Sequence, residues 1–280
     1  MLVDLKASSL FTLEGKTAFL TGASGFLGRM FTRALLENGA SVITVGRTER
    51  LLKEAEQWKA MFGADRIHAI QVDMYDFKAF ADKLEEVAAG YAVDVVINNA
   101  HELGPATGFN IPEGTLEKAP IEQWERNLAG GVYWPAMVVQ KIGTTMKERQ
   151  HGSIINVATM YGLVAPRPSL YAGTSFMNPP GYSASKAAML AFTRYVASFW
   201  GPFNIRSNAI VPGPFSNTED ASPNAVASGD PFIEKLKGFT SLNRIGRPQE
   251  LVGALLFLAS DASSYVTGQA IIVDGGWTSV

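Results

Sequence analysis

Short apolar runs rich in β-branched residues alternate along the chain with longer segments of helical spacing. In the first such segment, Leu27, Phe31 and Leu35 lie on one helical stripe, and Gly39 follows as a stop signal. Strict alternation of this kind implies parallel strands joined by helical crossovers. The pattern predicts a three-layer α/β sandwich with a seven-stranded parallel sheet flanked by helices. The predicted strands are residues 17–20, 41–45, 67–72, 93–98, 153–157, 205–211 and 270–273.

We expect one catalytic domain over residues 12–280, preceded by an N-terminal extension over 1–11, because the 280 residues contain no repeat or low-complexity linker. The chain has 24 basic and 26 acidic residues, a balance that argues against nucleic acid as a partner. With no cysteine, it cannot form disulfides or thiolate sites. The three histidines have no metal-ligand spacing, so no metal is expected. Without a secretory signal or an apolar span, we expect a cytoplasmic protein with no membrane partner.

Three segments rich in glycine, proline and polar residues interrupt the alternation of strands and helices, at 101–119, 160–181 and roughly 212–230. Each would follow the carboxyl end of a predicted strand. In an open parallel sheet ligands bind at that edge. The sequence therefore predicts a site built from these loops.

A glycine-rich turn joins the first predicted strand to the first helix, reading TGASGFLG with Gly22, Gly25 and Gly28. Glycines at such a turn permit tight bending, close approach of a pyrophosphate, and close packing of helix on strand. The helix N-terminus that follows would offer free N–H groups to phosphate. We interpret Gly22, Ser24, Gly25, Phe26, Leu27 and Gly28 as a dinucleotide-binding loop, which makes the fold Rossmann-like.

The second predicted strand ends without the acidic residue that usually binds the ribose 2′-hydroxyl of NAD. Arg47 stands there instead, and a guanidinium pairs well with a 2′-phosphate. The sequence therefore favours NADP over NAD as cofactor. The alternative is that Arg47 faces solvent and stacks on adenine.

Tyr182 and Lys186 are four residues apart in a predicted helix over 182–200, which places them on one face. A free tyrosine has a pKa of about 10 and is a poor acid–base group at neutral pH. A neighbouring ammonium lowers such a pKa, so the pair suits general acid–base catalysis.

Five motifs occur in order: TGASGFLG, Asn98-Asn99-Ala100, YSASK from Tyr182 to Lys186, Pro212-Gly213, and IIVDGGW at the end. This set resembles the short-chain dehydrogenase/reductase family over about residues 12–280. The resemblance implies that a nicotinamide carries hydride while Tyr182 manages the proton and Lys186 also holds the ribose. Further implied cofactor contacts are Asp73, Met74, Asn99, Ala100, Tyr182, Pro212, Gly213 and Phe215.

The resemblance also implies that Asn127 helps to hold a proton-relay water. Two positions depart from the family pattern. Thr159 stands where the family has a catalytic serine, and its hydroxyl can still orient the substrate oxygen; Ser175 is the alternative. His101 replaces the glycine that follows Asn-Asn-Ala and would point to the mouth of the site, to contact substrate or to cap a loop.

The long insertion at 160–181, which contains Tyr161, would supply polar and aromatic groups to a sugar-like or other hydroxylated substrate. The expected reaction interconverts a secondary alcohol and a ketone. A cofactor-dependent epimerase or lyase and a cofactor-binding regulatory protein are the alternatives. The resemblance further implies a homotetramer, with a homodimer as the alternative, through the helices near 120–148 and 181–200 and the C-terminal strand.

Overall fold

A seven-stranded parallel sheet forms the centre of the molecule, in a computed structural model that describes residues 6–216 and 229–279. The strand order is β3-β2-β1-β4-β5-β6-β7. The predicted fold class is confirmed, and each predicted strand lies within two residues of an observed one. The strands are β1 (Thr17–Thr21), β2 (Ser41–Gly46), β3 (Ile67–Gln71), β4 (Val95–Asn98), β5 (Gly152–Val157), β6 (Ile205–Pro212) and β7 (Ala270–Val273).

Helices cover both faces of this sheet, each through an apolar stripe. On one face α2, α3 and α10 pack on the strands, with Phe31, Leu51 and Leu255 fully buried. On the other face α4, α6 and α8 contribute Phe80, Val138 and Val196. Burial on both faces explains why the five inner strands are apolar without alternation, whereas the edge strands β3 and β7 are partly exposed. The helices are α1 (Ala7–Leu10), α2 (Phe26–Glu37), α3 (Glu49–Phe62), α4 (Phe77–Gly90), α5 (Ile121–Leu128), α6 (Trp134–Val138), α7 (Thr144–Arg149), α8 (Pro180–Trp200), α9 (Pro231–Gly238) and α10 (Val252–Ala259).

The segment from α5 to α7 is one continuous helical rod that widens twice. π-helical turns at Ala129–Tyr133 and Val139–Gly143 separate its three α-helical parts. Such turns are frequent at functional sites because they re-aim the neighbouring side chains. Here the first one begins two residues after Asn127.

The strand order reverses between β1 and β4, because β2 and β3 lie on one side of β1 and β4 to β7 on the other. The loops after β1 and β4 therefore meet at this switch point, where dinucleotides bind in open α/β sheets. The loop after β5 folds over the same edge through short turns at Met160–Gly162 and Pro168–Tyr171. The three predicted loops thus share one edge; residues 217–228 of the third lie outside the described residues.

The described part of the N-terminal extension contains α1, and the Phe11 ring lies 6.4 Å from the Phe257 ring of α10. Among the residues that the structure describes, no helix is both long and apolar enough to cross a membrane.

Candidate active site

The turn after β1 needs glycine at two of its three glycine positions. Gly22 has φ +71°, and a Cβ there would lie 2.8 Å from the Ala100 Cα. A Cβ on Gly28 would overlap the Gly22 carbonyl oxygen and lie 2.9 Å from the Ala23 Cα. The first turn of α2 therefore sits directly against the loop. No side chain caps this helix, so its first N–H groups are available to an anion.

The loop after β4 is fastened to the same turn. The Thr21 hydroxyl oxygen accepts from the backbone N–H of both Asn99 and Ala100 at 3.1 Å. The Asn99 amide donates to the carbonyls of Thr21 (3.1 Å) and Gly22 (3.2 Å). These bonds fix the switch point as a rigid cradle. The structure thus brings together the two loops that the sequence assigned to one dinucleotide site.

Arg47, Asp73 and Met74 follow β2 and β3 on one side of this cradle. Met74 is buried, and the Asp73 carboxylate accepts from the Tyr75 N–H at 3.0 Å. Arg47 is half exposed, and its Nη2 lies 2.9 Å from Glu102 Oε1, on the loop after β4. The sequence analysis missed Glu102. The available signal was an acidic residue just after the Asn-Asn-Ala motif, at the same sheet edge as Arg47.

Pro212, Gly213 and Phe215 lie on the other side, where β6 ends. The Gly213 N–H donates to the Val273 carbonyl at 2.9 Å, and a Cβ on Gly213 would lie 2.5 Å from the Asp274 Cα. The lack of a side chain lets the ends of β6 and β7 approach. Phe215 packs on the core beneath α2 and α10.

The predicted chemical residues converge at the carboxyl end of β5. Tyr182 and Lys186 lie one turn apart on α8, and the Thr159 side chain hydrogen-bonds Tyr182. Lys186 Nζ donates to the Val157 carbonyl at 2.7 Å and lies 6.0 Å from the centre of the Tyr182 ring. Thr159 and Lys186 are buried, and Tyr182 is partly buried. The arrangement places a phenol, a hydroxyl and an amine around one point beside the dinucleotide cradle.

Comparison with known proteins agrees with this geometry. A family model described as enoyl-(acyl carrier protein) reductase matches residues 22–278. The sorbose reductase of Schizosaccharomyces pombe is 33% identical over 97% of this chain and 99% of its own length. A solved short-chain type dehydrogenase/reductase from Mycobacterium marinum is 28% identical, covers 98% of this chain and 99% of that one, and superposes with a TM-score of 0.80. The chain belongs to the short-chain dehydrogenase/reductase family.

A third relative carries a cofactor. The gluconate 5-dehydrogenase of Burkholderia cenocepacia, solved with NADP and tartrate, is 26% identical, covers 98% of this chain and 100% of that one, and has a TM-score of 0.81. The predicted enzyme class, an oxidoreductase that uses a nicotinamide cofactor, is confirmed at the level of the family.

Burial acts on both members of the Tyr182–Lys186 pair in the cofactor-free chain. It raises the pKa of Tyr182 to about 12, although the hydrogen bond with Thr159 acts in the opposite direction. It also lowers the pKa of Lys186 to about 7, so the amine carries only part of a full positive charge near neutral pH.

The buried Lys186 should make stability depend on pH. Its folded pKa of about 7 lies below its ordinary 10.5, so between these values the unfolded chain binds more protons. Stability therefore rises with pH across this window. The variant Lys186→Met lacks the free-energy cost of burying a protonated amine. Its stability relative to the natural protein should be most favourable at pH 6 and decline by a few kcal/mol towards pH 10.

Urea unfolding of the cofactor-free proteins at pH 6, 8 and 10 measures this difference. Lys118→Met, which replaces an exposed lysine, is the control and should give a similar difference at all three values. If the difference in the free energy of unfolding between Lys186→Met and the natural protein did not vary with pH, the Lys186 ammonium would be well solvated.

His101 lies between Asn127 and Tyr182 rather than at the mouth of the site, contrary to the expectation. Its Nε2 is 3.1 Å from Asn127 Oδ1, and its ring meets the Tyr182 ring edge-on at 4.9 Å. The Asn127 amide donates to the carbonyls of Thr107 (3.0 Å) and Gln123 (2.7 Å), which fixes Oδ1 as an acceptor. Nε2 therefore carries the proton, and the Asn127 side chain is committed to these three contacts. Burial and the charge of Lys186 lower the pKa of His101 to about 3, so the ring is neutral.

The π-helical turn after Asn127 makes room for this histidine. A Cβ on Gly130 would lie 2.6 Å from His101 Nδ1, and a Cβ on Gly131 would lie 2.6 Å from the Ser185 Cβ. The two glycines let the rod approach both His101 and α8. The sequence analysis did not identify either one.

A buried polar chain, also missed, connects β4, β5 and α8 beneath the site. The Asn98 amide donates to Asn156 Oδ1 at 2.8 Å, and the Asn156 amide donates to the Thr193 hydroxyl at 2.9 Å. An asparagine near the end of each of two otherwise apolar strands was the available signal. Buried polar groups of this kind fix relative positions because leaving one unpaired is costly.

The insertion contributes Tyr161 to an aromatic cluster above Tyr182. The Tyr161 and Tyr171 hydroxyls are 3.3 Å apart, and the Tyr161 ring meets the Trp277 ring edge-on at 6.2 Å. Trp277 Nε1 is buried and has no hydrogen-bond partner among the described residues. Ser175, the alternative to Thr159, is exposed. We define the aromatic cluster as Tyr161, Tyr171, Phe176, Phe232, Phe239 and Trp277.

Proposed function

We propose that the chain interconverts a secondary alcohol and a ketone by hydride transfer, with NADP favoured over NAD as cofactor. The observation that carries the proposal is the buried contact of Tyr182 with Thr159, with Lys186 one turn along α8 and the glycine cradle at the next strand ends. The cradle fits a dinucleotide because Gly22 and Gly28 let the loop pack tightly against the first turn of α2, whose N–H groups no side chain caps.

In this proposal each residue has one task. When bound, the nicotinamide supplies or accepts the hydride. The Tyr182 hydroxyl gives a proton to the carbonyl oxygen in reduction and takes it back in oxidation. The Thr159 hydroxyl donates a hydrogen bond to the same oxygen and so fixes its position. Lys186 lies one turn from Tyr182 on α8, and its amine, in the protonated form, favours loss of the phenolic proton.

Asn127 holds the neutral His101 ring against Tyr182, which restricts the orientation of the phenol. Its role in holding a relay water stays a prediction from the family resemblance. The cofactor contacts proposed for Ser24, Asp73 and Met74 also rest on that resemblance, supported by their position beside the cradle.

Arg47 is proposed to bind the 2′-phosphate of NADP. Replacing it with alanine removes a charge-assisted contact, so the dissociation constant for NADPH should rise about 10- to 100-fold while that for NADH changes little. Titration followed by nicotinamide fluorescence measures both. Exposed Arg33, on α2 and paired with Glu37, is a control whose replacement should affect neither. Equal losses for both cofactors would contradict the 2′-phosphate role.

The substrate is proposed to be sugar-like. The aromatic cluster packs beside Tyr182, and its polar groups, the Tyr161 and Tyr171 hydroxyls and the Trp277 indole N–H, are buried in the cofactor-free chain. A polyhydroxylated substrate has both the donors and the acceptors to pair with polar groups of this kind next to the reacting phenol. The relatives named for sorbose and gluconate support this class.

Two measurements test the proposal. Titration with NADPH and with NADH establishes whether the dinucleotide site binds, and binding of neither would favour the regulatory alternative. A panel of ketoses, sugar alcohols and sugar acids is then followed by absorbance of the reduced nicotinamide. Conversion of a substrate without any net change in that absorbance would instead indicate an epimerase or lyase.

We also propose a homotetramer. Tyr195 and Phe199 of α8 stack at 4.3 Å and stay more than half exposed, which leaves an apolar face on that helix. Ile272 of the edge strand β7 is 46% exposed. The apolar run at 251–258, by contrast, buries Leu255 and Leu258 in the chain's own core. Light scattering on the eluting protein should give four times the chain mass; a monomer would contradict the proposal.

A further inference from the structure

Glu102 is the centre of a four-contact network beside the dinucleotide cradle. Its Oε1 accepts from Arg47 Nη2 at 2.9 Å. Its Oε2 accepts from the Tyr75 hydroxyl at 2.8 Å and from Arg126 Nε and Nη2 at 3.0 and 2.7 Å. The Arg126 guanidinium also lies 3.9 Å from the centre of the Tyr75 ring. The carboxylate is therefore held firmly from one side, and Arg47 is the partner on the other.

The network crosses the switch point of the sheet. Arg47 follows β2, Glu102 follows β4, and β1 lies between these two strands. The Arg47–Glu102 ion pair therefore spans the end of the strand that leads into the glycine turn. A dinucleotide bound along this edge would place its adenosine half next to the Arg47–Glu102 ion pair.

Two guanidinium groups, those of Arg47 and Arg126, contact the Glu102 carboxylate, and the Asp73 carboxylate also acts on Arg126 by raising its pKa. Burial acts to raise the pKa of Glu102, but the hydrogen bonds from Tyr75, Arg126 and Arg47 outweigh it and keep that pKa below its ordinary value. The carboxylate is thus ionised at neutral pH and competes with any incoming phosphate for Arg47.

We propose that Glu102 is a specificity-determining residue that weakens binding of 2′-phosphorylated dinucleotides by holding Arg47. The inference rests on the proposed function, because it needs a dinucleotide at the cradle and Arg47 as its phosphate ligand. To bind Arg47, a 2′-phosphate must break the Arg47–Glu102 ion pair. The Glu102 carboxylate then keeps only its hydrogen bonds from Arg126 and Tyr75. A dinucleotide without that phosphate has no such competition.

The test is titration of Glu102→Gln with NADPH and with NADH, followed by nicotinamide fluorescence at fixed ionic strength. The amide has nearly the same shape as the carboxylate but no charge. The dissociation constant for NADPH should fall about tenfold, and that for NADH should stay within about twofold. An unchanged or raised value for NADPH would overturn the proposal, since Glu102 would then orient Arg47 for phosphate.

Two further variants separate the causes. Tyr75→Phe removes one contact of Glu102 but leaves the Arg47 ion pair, and its NADPH to NADH ratio should stay near that of the natural protein. In an Arg47→Ala background, Glu102→Gln should change that ratio less than about threefold. A full tenfold gain in affinity for NADPH in the Arg47→Ala background would mean that Glu102 repels the phosphate directly, and it would overturn the role of Arg47.

Thermal unfolding of each variant checks that it is folded. If Glu102→Gln does not fold, Glu102→Ala takes its place, and the same tenfold fall in the dissociation constant for NADPH is expected of it. Natural protein that binds neither cofactor would contradict the proposed function itself. Natural protein that binds a cofactor, with no shift of the ratio in either Glu102 variant, would contradict this inference alone.

Discussion

Replacing Tyr182 with phenylalanine is expected to lower kcat by about 10²- to 10⁴-fold, the range that a positioned proton donor contributes. The phenol hydroxyl hydrogen-bonds the Thr159 side chain and can exchange a proton with a substrate oxygen. Phenylalanine keeps the ring and its edge-on packing with His101 and Phe109, at 4.9 and 5.0 Å. The fold and the dinucleotide cradle should therefore remain intact.

Two readouts are needed, because a loss of rate alone does not identify the step. Turnover is measured with the best substrate of the panel, and cofactor affinity by fluorescence titration. The affinity should stay within about threefold, because Tyr182 reaches the reacting centre and not the glycine turn. Turnover within tenfold of the natural value would show that another group moves the proton.

A neighbouring tyrosine provides the matched control. Tyr171 is also buried, and its hydroxyl lies 3.3 Å from that of Tyr161 in the aromatic cluster. Tyr171→Phe removes an equivalent hydroxyl from the same region, but none in contact with Thr159. We expect mainly a raised KM with kcat within about tenfold, as for lost binding rather than lost chemistry.

The sheet was predictable because its five inner strands are buried on both faces and thus stand out as apolar runs. Even there, β4 begins at Val95 rather than at residue 93, since Val93 packs in the core without pairing in the strand. The glycine turn and the Tyr182–Lys186 pair were predictable because local spacing alone puts their groups together. These parts of the site depend on short-range geometry.

The parts that escaped prediction depend on contacts between distant segments. Arg47 and Glu102 are 55 residues apart, so no local pattern links them, and the order of strands alone makes them neighbours. His101 likewise contacts Asn127 beside a π-helical turn, where the helical rod is wider and Gly130 has no side chain. Burial was also invisible in the sequence, and it raises the pKa of Tyr182 and lowers that of Lys186.

The close packing of the glycine turn leads to the second large effect. Gly28→Ala places a methyl group onto the Gly22 carbonyl oxygen, and neither backbone segment can yield as a flexible side chain would. The first turn of α2 must then move away from the loop, which widens the cradle. We expect a loss of about 1–3 kcal/mol or more in the free energy of unfolding, the usual cost of overpacking, and at least a tenfold loss of cofactor affinity.

Gly253→Ala is the matched control, because the same methyl group on this helical glycine of α10 meets no atom within 4 Å. Alanine is favoured over glycine in a helix, so this variant should be as stable as the natural protein or up to about 1 kcal/mol more stable. Urea unfolding and fluorescence titration of both variants give the comparison. If the two variants behaved alike, α2 would not rest on the Gly22 carbonyl, and the rigid cradle that the proposed dinucleotide site requires would not exist.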